Sequence, residues 1–496
     1  MLMSKTKKNI LLLLFLFSPL SIFANFDFNA NCLKAYQNIF ELKLSTARSL
    51  IANEKRLHPN NSIVPLLENY VDYFYLLTTD SKAEFDRLEA NKSRRLDQID
   101  EDDDKSPYKR YALAEINLQW ALIRARYGSY YTASREINKA SNLLEENAKK
   151  FPAFHLNAKG LGLIQVVMGS LPDGFLKSTL ATFGIKGNIQ TGLAMLDKLA
   201  ENLPKSAYEP FFEDVVFNYV NVLNDVVRSP TAYAKTMKYT ARFAEGSLLK
   251  TYLQAYTAAK NGHNDEAIAV LNDRPTGASY QPFAYLDYLM GVARLNKLDY
   301  SAATYFDRFL QNNKGVSYIK DAYLHLAWIA LLKGDEAGYN ANVNRVKTIG
   351  YTFQEKDKQA VNEANASAPN KTLLTARLLF DGGYLTQANQ TLANMSSDAF
   401  PGLKDKAEFH YRLGRINDDL GKEDTAITHY QSALTYGKSL KQYYAAKAAV
   451  LMGKIYEKKK NYTKAKVAYS TAINLKDHDY ETGIENEAKQ GLKRLP

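Results

Sequence analysis

With one cysteine in 496 residues, Cys32, the chain has no internal disulfide, so packing alone must hold it together. Proline (14) and glycine (25) are sparse and alternating β-branched stretches are rare, which argues against a sheet protein built on many turns. The seven histidines (58, 155, 263, 325, 410, 429, 478) show no HExxH or other metal spacing. His410 and His429 do fall within one short stretch that could bring them together, and His325 sits among Tyr323, Leu326 and Trp328 as a core histidine would. No Gly-x-Ser-x-Gly elbow is present, and no glutamate stands in a glycosidase context. Gly160, Gly162 and Gly169 lack dinucleotide spacing, and no phosphate-loop lysine follows them; a close helix contact is the expectation. The acids from Asp100 to Asp104 lack the turn glycine of a calcium loop and read as a solvated loop. No catalytic residue, cofactor or metal is therefore expected.

What is present is helix-forming. The chain is 46% hydrophobic and 24% charged, rich in Ala, Leu, Lys and Glu, with a heavy load of 34 tyrosines. "MLMSKTKKN" is basic, "ILLLLFLFSPLSIF" is an apolar run of 14, and "AN" follows: a leader for export, cut after Ala24. The run is short of the ~20 residues that span a bilayer. "NAN" before Cys32 lacks the pattern that lipoprotein processing reads. Export to the periplasm, or to an association with the outer membrane, is expected for a Gram-negative source. Lys5, Lys7 and Lys8 leave with the leader, so the formal charge of +11 overstates the mature chain's by three. Spread over such a length it is no nucleic-acid footprint, which needs basic residues concentrated on one face.

Two C-terminal stretches share a register. Gly414, Ala426, Tyr430 and Ala433 recur as Gly453, Ala465, Tyr469 and Ala472, 39 residues on. Small residues where two helices cross, an aromatic one turn further and a small residue facing the next pair describe a helical hairpin that must stack on neighbours. This resembles the tetratricopeptide repeat, which implies an all-α superhelical solenoid of hairpins. Weaker copies run through Ala376, Gly383, Ala388 and Leu392; through Ala255, Gly262, Ala267 and Leu271; and through Gly291, Ala302 and Phe306. Others are Ala121, Gly128, Ala133 and Ile137, and a degenerate first one at Ala47, Ile51 and Pro59.

Residues 155–204 break the register. Gly160 and Gly162 before an apolar helix, "SLP" at 170–172, Phe175–Leu176 and "FGIKGN" at 183–188 resemble the hairpin insert of the tetratricopeptide-39-like family, related to a fungal inclusion-clearance protein. The expected organisation is a signal peptide (1–24), degenerate helices (25–154), the insert (155–204), central repeats (205–365), C-terminal repeats (366–480) and a capping helix (481–496).

In stacked repeats the first helix of each pair lines the concave groove. Its inward positions are Glu408, Tyr411 and Arg415, then Lys447, Val450 and Lys454, with Tyr285, Tyr288 and Val292 supplying a more aromatic stretch. Arg415 and Lys454 are expected side by side as a positive site, with Tyr411 beside them. The function expected is a non-catalytic, exported scaffold that takes a protein or peptide partner, not nucleic acid, within an envelope-associated complex. An outer-membrane carbohydrate-binding protein of the starch-utilisation type is a second reading, and a helical cell-wall lytic enzyme a third.

The mature protein should begin at Asn25. Intact-mass measurement on the envelope fraction checks this; a retained leader or a lipid adduct on Cys32 would overturn it.

Overall fold

The computed structural model describes residues 26–171 and 187–496, and these form twenty-four α-helices with no strand. The expected leader lies outside the described residues, as do Phe175, Leu176 and most of "FGIKGN".

The helices start where side chains can satisfy their first free N–H groups. Asn29 accepts from the amides of Asn31 and Cys32, Ser81 from Glu84, and Asn370 from Thr372 and Leu373. Consecutive helices then pair, as in Ala30–Phe40 with Leu44–Leu57 and Pro107–Arg126 with Tyr130–Lys150. The same holds for Leu248–Lys260 with Asn264–Asn272, Tyr285–Asn296 with Ala302–Asn312, and Lys371–Asp381 with Leu385–Leu392. At the C-terminal end Leu403–Asp419 pairs with Glu423–Gly437 and Tyr444–Lys458 with Tyr462–Asn474, capped by Glu481–Arg494.

The repeat register has a physical basis in an aromatic ring seated on a glycine. A Cβ added at Gly414 would stand 2.5 Å from the Tyr430 ring, and one at Gly453 2.5 Å from Tyr469. Gly291 meets Phe306 in the same way at 2.9 Å. The closest partner of each glycine is thus the aromatic residue, not the alanine expected opposite it. The two tyrosines end alike: Tyr430 donates to Asp418 (3.3 Å) and Tyr469 to Glu457 (2.6 Å). Both acids stand four residues after their glycine, so they belong to the repeat as well.

The described helices of residues 155–204 do not sit as an insert against the stack. Asn157–Ser170 and Ile189–Asn202 form a hairpin within it, between Tyr130–Lys150 on one side and Phe212–Asn221 on the other. Their glycines do make the expected close crossing, since a Cβ on Gly192 would lie 2.5 Å from the Gly162 carbonyl oxygen.

The chain also curls back on itself. Gln281 donates its amide to the Leu42 carbonyl (2.7 Å), and the Val316 amide donates to that of Asp80 (3.1 Å). Gly315 has no room for a side chain at this junction: a Cβ would be 2.6 Å from the Thr79 carbonyl oxygen. One continuous apolar core runs from Phe26 to Met290 and takes in Val316, a second spans Tyr288 to Leu378, and the C-terminal hairpins hold smaller, separate ones. Cys32 lies inside the large core, where burial first, and then Glu54, push its thiol up to about 12.

Gly453→Leu should destabilise the last repeats by ~1–3 kcal/mol, the usual cost of overpacking, because the Tyr469 ring cannot leave its seat without exposing the hairpin core. Denaturant unfolding should show a less cooperative C-terminal transition while the large N-terminal core melts unchanged. A single unaltered transition would disprove the assignment.

Candidate binding surface

The structure distributes the expected groove residues unevenly. Tyr411 is 2% exposed, its ring packed against Tyr443 and Tyr444 and its hydroxyl accepting from Arg415 (3.3 Å). Tyr288 is 4% exposed and donates to Asp321 (2.5 Å). Both rings are core, not groove lining, because the helix that bears them is covered on that face by the next hairpin. Glu408 and Val450 are buried for the same reason.

Arg415 is half-buried and lies over the Phe380 ring, 4.4 Å from its centre. Reversing its charge would remove packing as well as charge. Lys447 and Lys454 both pair with Glu487 of the terminal helix, Lys454 at 2.6 Å. Burial disfavours charge on Glu487, yet the two lysines hold its carboxyl down at about 2. The positive site expected there is thus offset in part by the helix that reads in sequence as a cap. Arg415 packs on Phe380 and Tyr411, whereas Lys454 pairs with Glu487, so the two have separate partners.

Tyr285 is different. It is half-buried, with its ring 5.0 Å from Tyr318 and 6.1 Å from Phe283; Phe283 in turn lies 5.3 Å from Tyr252, and Tyr252 5.6 Å from Tyr256. All five rings are partly open to solvent, and they come from two consecutive inner helices and the residues just before the next. Burial pushes the Tyr252 and Tyr256 phenols well up, and Asp225 adds to it, so both remain protonated donors. Asp225 stands on a π-turn, Val222–Val226, and accepts from both Tyr256 and Lys260. Such turns are wider than an α-turn and are frequent at functional sites.

Two devices aim this wall. Tyr318 has φ +66°, a left-handed conformation that costs a bulky residue about 1–2 kcal/mol. It is held there by Asp357, which accepts from the amides of Tyr318 (2.6 Å) and Lys320 (2.9 Å). Asp80, at the end of Val64–Thr79, accepts from the Ser317 amide (2.9 Å) and faces the Arg126 guanidinium at 2.8 Å. The end of Val64–Thr79 is thereby tied to the residues just before Tyr318.

Beside Tyr73 lies a feature that sequence reasoning missed. Lys159, Glu115 and Asp214 are 2%, 3% and 2% exposed, and the ammonium donates to Glu115 (2.7 Å) and to Asp214. Tyr36 and Tyr70 also donate to Asp214, at 2.9 and 2.7 Å. Burial opposes charge on Lys159, but the two carboxylates outweigh it and hold the ammonium well charged. The available signal was Glu115 itself: Tyr111, Ala112 and Leu118, one turn away on either side, are all apolar, so that helix face has no route to water.

The fold defines a helical-hairpin solenoid with an aromatic inner wall. A family model of the tetratricopeptide repeat matches residues 407–439 and 446–479, and the chain carries those repeats at its C-terminal end. No curated protein sequence matches the chain. Among solved structures, the human IFIT1 dimer with m7Gppp-AAAA is similar over 91% of this chain and 90% of its own, at 13% identity and a TM-score of 0.34. The APC/C hetero-tetramer Cut9–Hcn1 is similar over 94% and 96%, at 12% identity and a TM-score of 0.22. At these scores no residue and no ligand transfers.

The one pair of histidines that the sequence places within reach does meet, with His410 Nδ1 3.1 Å from His429 Nδ1. Burial lowers both, and His429 helps to bring His410 down to about 4. A histidine depressed on folding contributes stability above its unfolded value near 6.5 and loses it as pH falls through its folded value. The C-terminal repeats should therefore weaken between about pH 6.5 and 4. Melting curves of the full chain and of the His410→Gln, His429→Gln double variant check this; the variant should lose less over that interval.

Proposed function

We propose that the protein is an exported, non-catalytic scaffold that holds an extended segment of a protein partner along its inner face, within an envelope-associated complex. The observation that supports this most directly is the row of Tyr252, Tyr256, Phe283, Tyr285 and Tyr318, five half-buried aromatic residues in contact from one to the next along three helical hairpins. Tyrosines suit a polypeptide: the ring covers apolar surface at low entropic cost, and the hydroxyl meets backbone amides and carbonyls. Stacked helical repeats generally present such concave surfaces to partners. The resemblance of residues 155–340 to the tetratricopeptide-39-like family belongs to this reading, as does the periplasmic location that the leader implies.

The test begins with affinity capture from an envelope extract and identification of the protein that co-purifies. The capture is then repeated with Tyr252→Ser, Tyr285→Ser. Loss of two aromatic anchors should weaken partner binding by ~2 kcal/mol or more, about thirtyfold. The Arg415→Ala, Lys454→Ala variant should retain the partner. Binding that survives loss of the tyrosines in a folded protein would overturn the reading.

A further inference from the structure

We propose that the edge of the molecule carrying the tips 127–131 and 349–353 docks on an anionic phospholipid surface. Its exposed rings enter the headgroup layer, and its unpaired basic residues face the lipid phosphates. This contact is independent of partner binding at the tyrosine row.

Tyr130, Tyr131 and Tyr351 are 55%, 61% and 55% exposed, and Ile349 and Phe353 stand open beside them. Together they make up half of the large apolar side chains that are exposed among the described residues. The two tips are far apart in sequence but meet in space: the Phe353 ring lies 6.0 Å from that of Tyr127 and 5.8 Å from that of Tyr351. Tyr130 and Tyr131 follow directly after Tyr127 and open the helix Tyr130–Lys150. Each tip turns on a glycine in the left-handed region, Gly128 at φ +79° and Gly350 at φ +85°. A Cβ on Gly350 would also stand 2.9 Å from the Ile319 side chain, so the second tip is seated on the helix Ile319–Lys333.

Contiguous exposed apolar surface marks a contact with protein or with membrane, and the charge around it says which. Arg135 stands one turn after Tyr131 on the same helix face, and Lys139 one turn further. Arg345 stands one turn before Ile349, whose amide donates to its carbonyl (2.8 Å). Lys347 and Lys356 flank the second tip. All five cations are exposed, and none forms an ion pair among the described residues. The acids of the same stretches do not oppose them. Glu136 is buried against Lys92 and Arg124, and Asp357 is buried on the amides of Tyr318 and Lys320. Glu355 is held by Lys358 at 3.1 Å. Asp86 pairs with Lys82, whose ammonium lies 6.0 Å from the Tyr127 ring.

The edge therefore fits a partner that is negative at its surface and apolar just beneath. A bilayer with anionic headgroups has that layering, and rings projecting from turns need no matching cavity in it. Tyrosine suits the headgroup level, where its ring meets apolar surroundings and its hydroxyl meets water. Basic residues close to an anionic leaflet add electrostatic attraction.

Co-sedimentation of the full mature chain with vesicles tests the contact. The chain should bind vesicles of equal parts phosphatidylglycerol and phosphatidylcholine, release them as salt rises, and leave phosphatidylcholine alone unbound. Phe353→Trp supplies a depth probe, because Trp120 and Trp328 are buried. Its emission should shift to the blue on binding and be quenched by lipids brominated on the acyl chain. Tyr351→Ser, Phe353→Ser should weaken vesicle binding by about tenfold or more. Arg135→Glu, Lys347→Glu should do so to a similar extent, at roughly fivefold for each basic residue lost. The proposal is overturned if the parent ignores anionic vesicles, if it binds both kinds equally, if the tryptophan emission is unchanged on binding, or if both variants bind like the parent. It is also overturned if the chain self-associates without lipid and Tyr351→Ser, Phe353→Ser abolishes that, which would assign the edge to a second copy.

Discussion

Asp80 is the residue on which the shape of the inner face depends. Its carbonyl and carboxylate take the amides of Val316 and Ser317, more than two hundred residues away in sequence, and its other oxygen faces Arg126. Stacking alone leaves a solenoid open, because each hairpin contacts only its neighbours. This clasp, with the Leu42–Gln281 backbone contact, ties the first third of the chain to the middle. Gly315 permits it, since any side chain there would meet the Thr79 carbonyl.

The two halves of the molecule are stabilised differently. From Phe26 to Met290 a continuous core includes polar groups satisfied at long range, such as Tyr36 to Asp214. From about residue 370 onward the cores are small and repeat the same seat of tyrosine on glycine. The first arrangement behaves as one body and can hold a fixed pocket; the second is quasi-one-dimensional, and local changes stay local. Several basic residues at the C-terminal end pair across the last hairpin with the terminal helix, Lys447 and Lys454 with Glu487 and Arg494 with Glu457. The net positive charge of the chain therefore does not become a positive groove there.

Much of the fold was legible, because ring-on-glycine contacts impose a spacing that sequence displays: Gly414 with Tyr430, Gly453 with Tyr469 and Gly291 with Phe306. The groove was legible only in part. Counting positions two, five and nine along a helix identifies a face, and Tyr285 on that face is half-open. Tyr288 and Tyr411, on the same count, are covered by a neighbouring helix whose angle the count does not contain. Residues 155–204 read as an interruption because their glycines follow another rhythm, although the hairpin they make is part of the stack.

The sequence by itself determined that the chain is helical, where the hairpins fall, and that no familiar catalytic or metal-binding motif is written in it, since these depend on spacings within one or two helices. Only the tertiary structure decided which tyrosines stay open, that Glu487 pairs with two expected groove lysines, and that Lys159, Glu115 and Asp214 meet. Those outcomes join residues as far apart as Tyr36 and Asp214, or Asp80 and Ser317. Electrostatics and burial act through space, and the curl of the solenoid, not the order of residues, sets those distances.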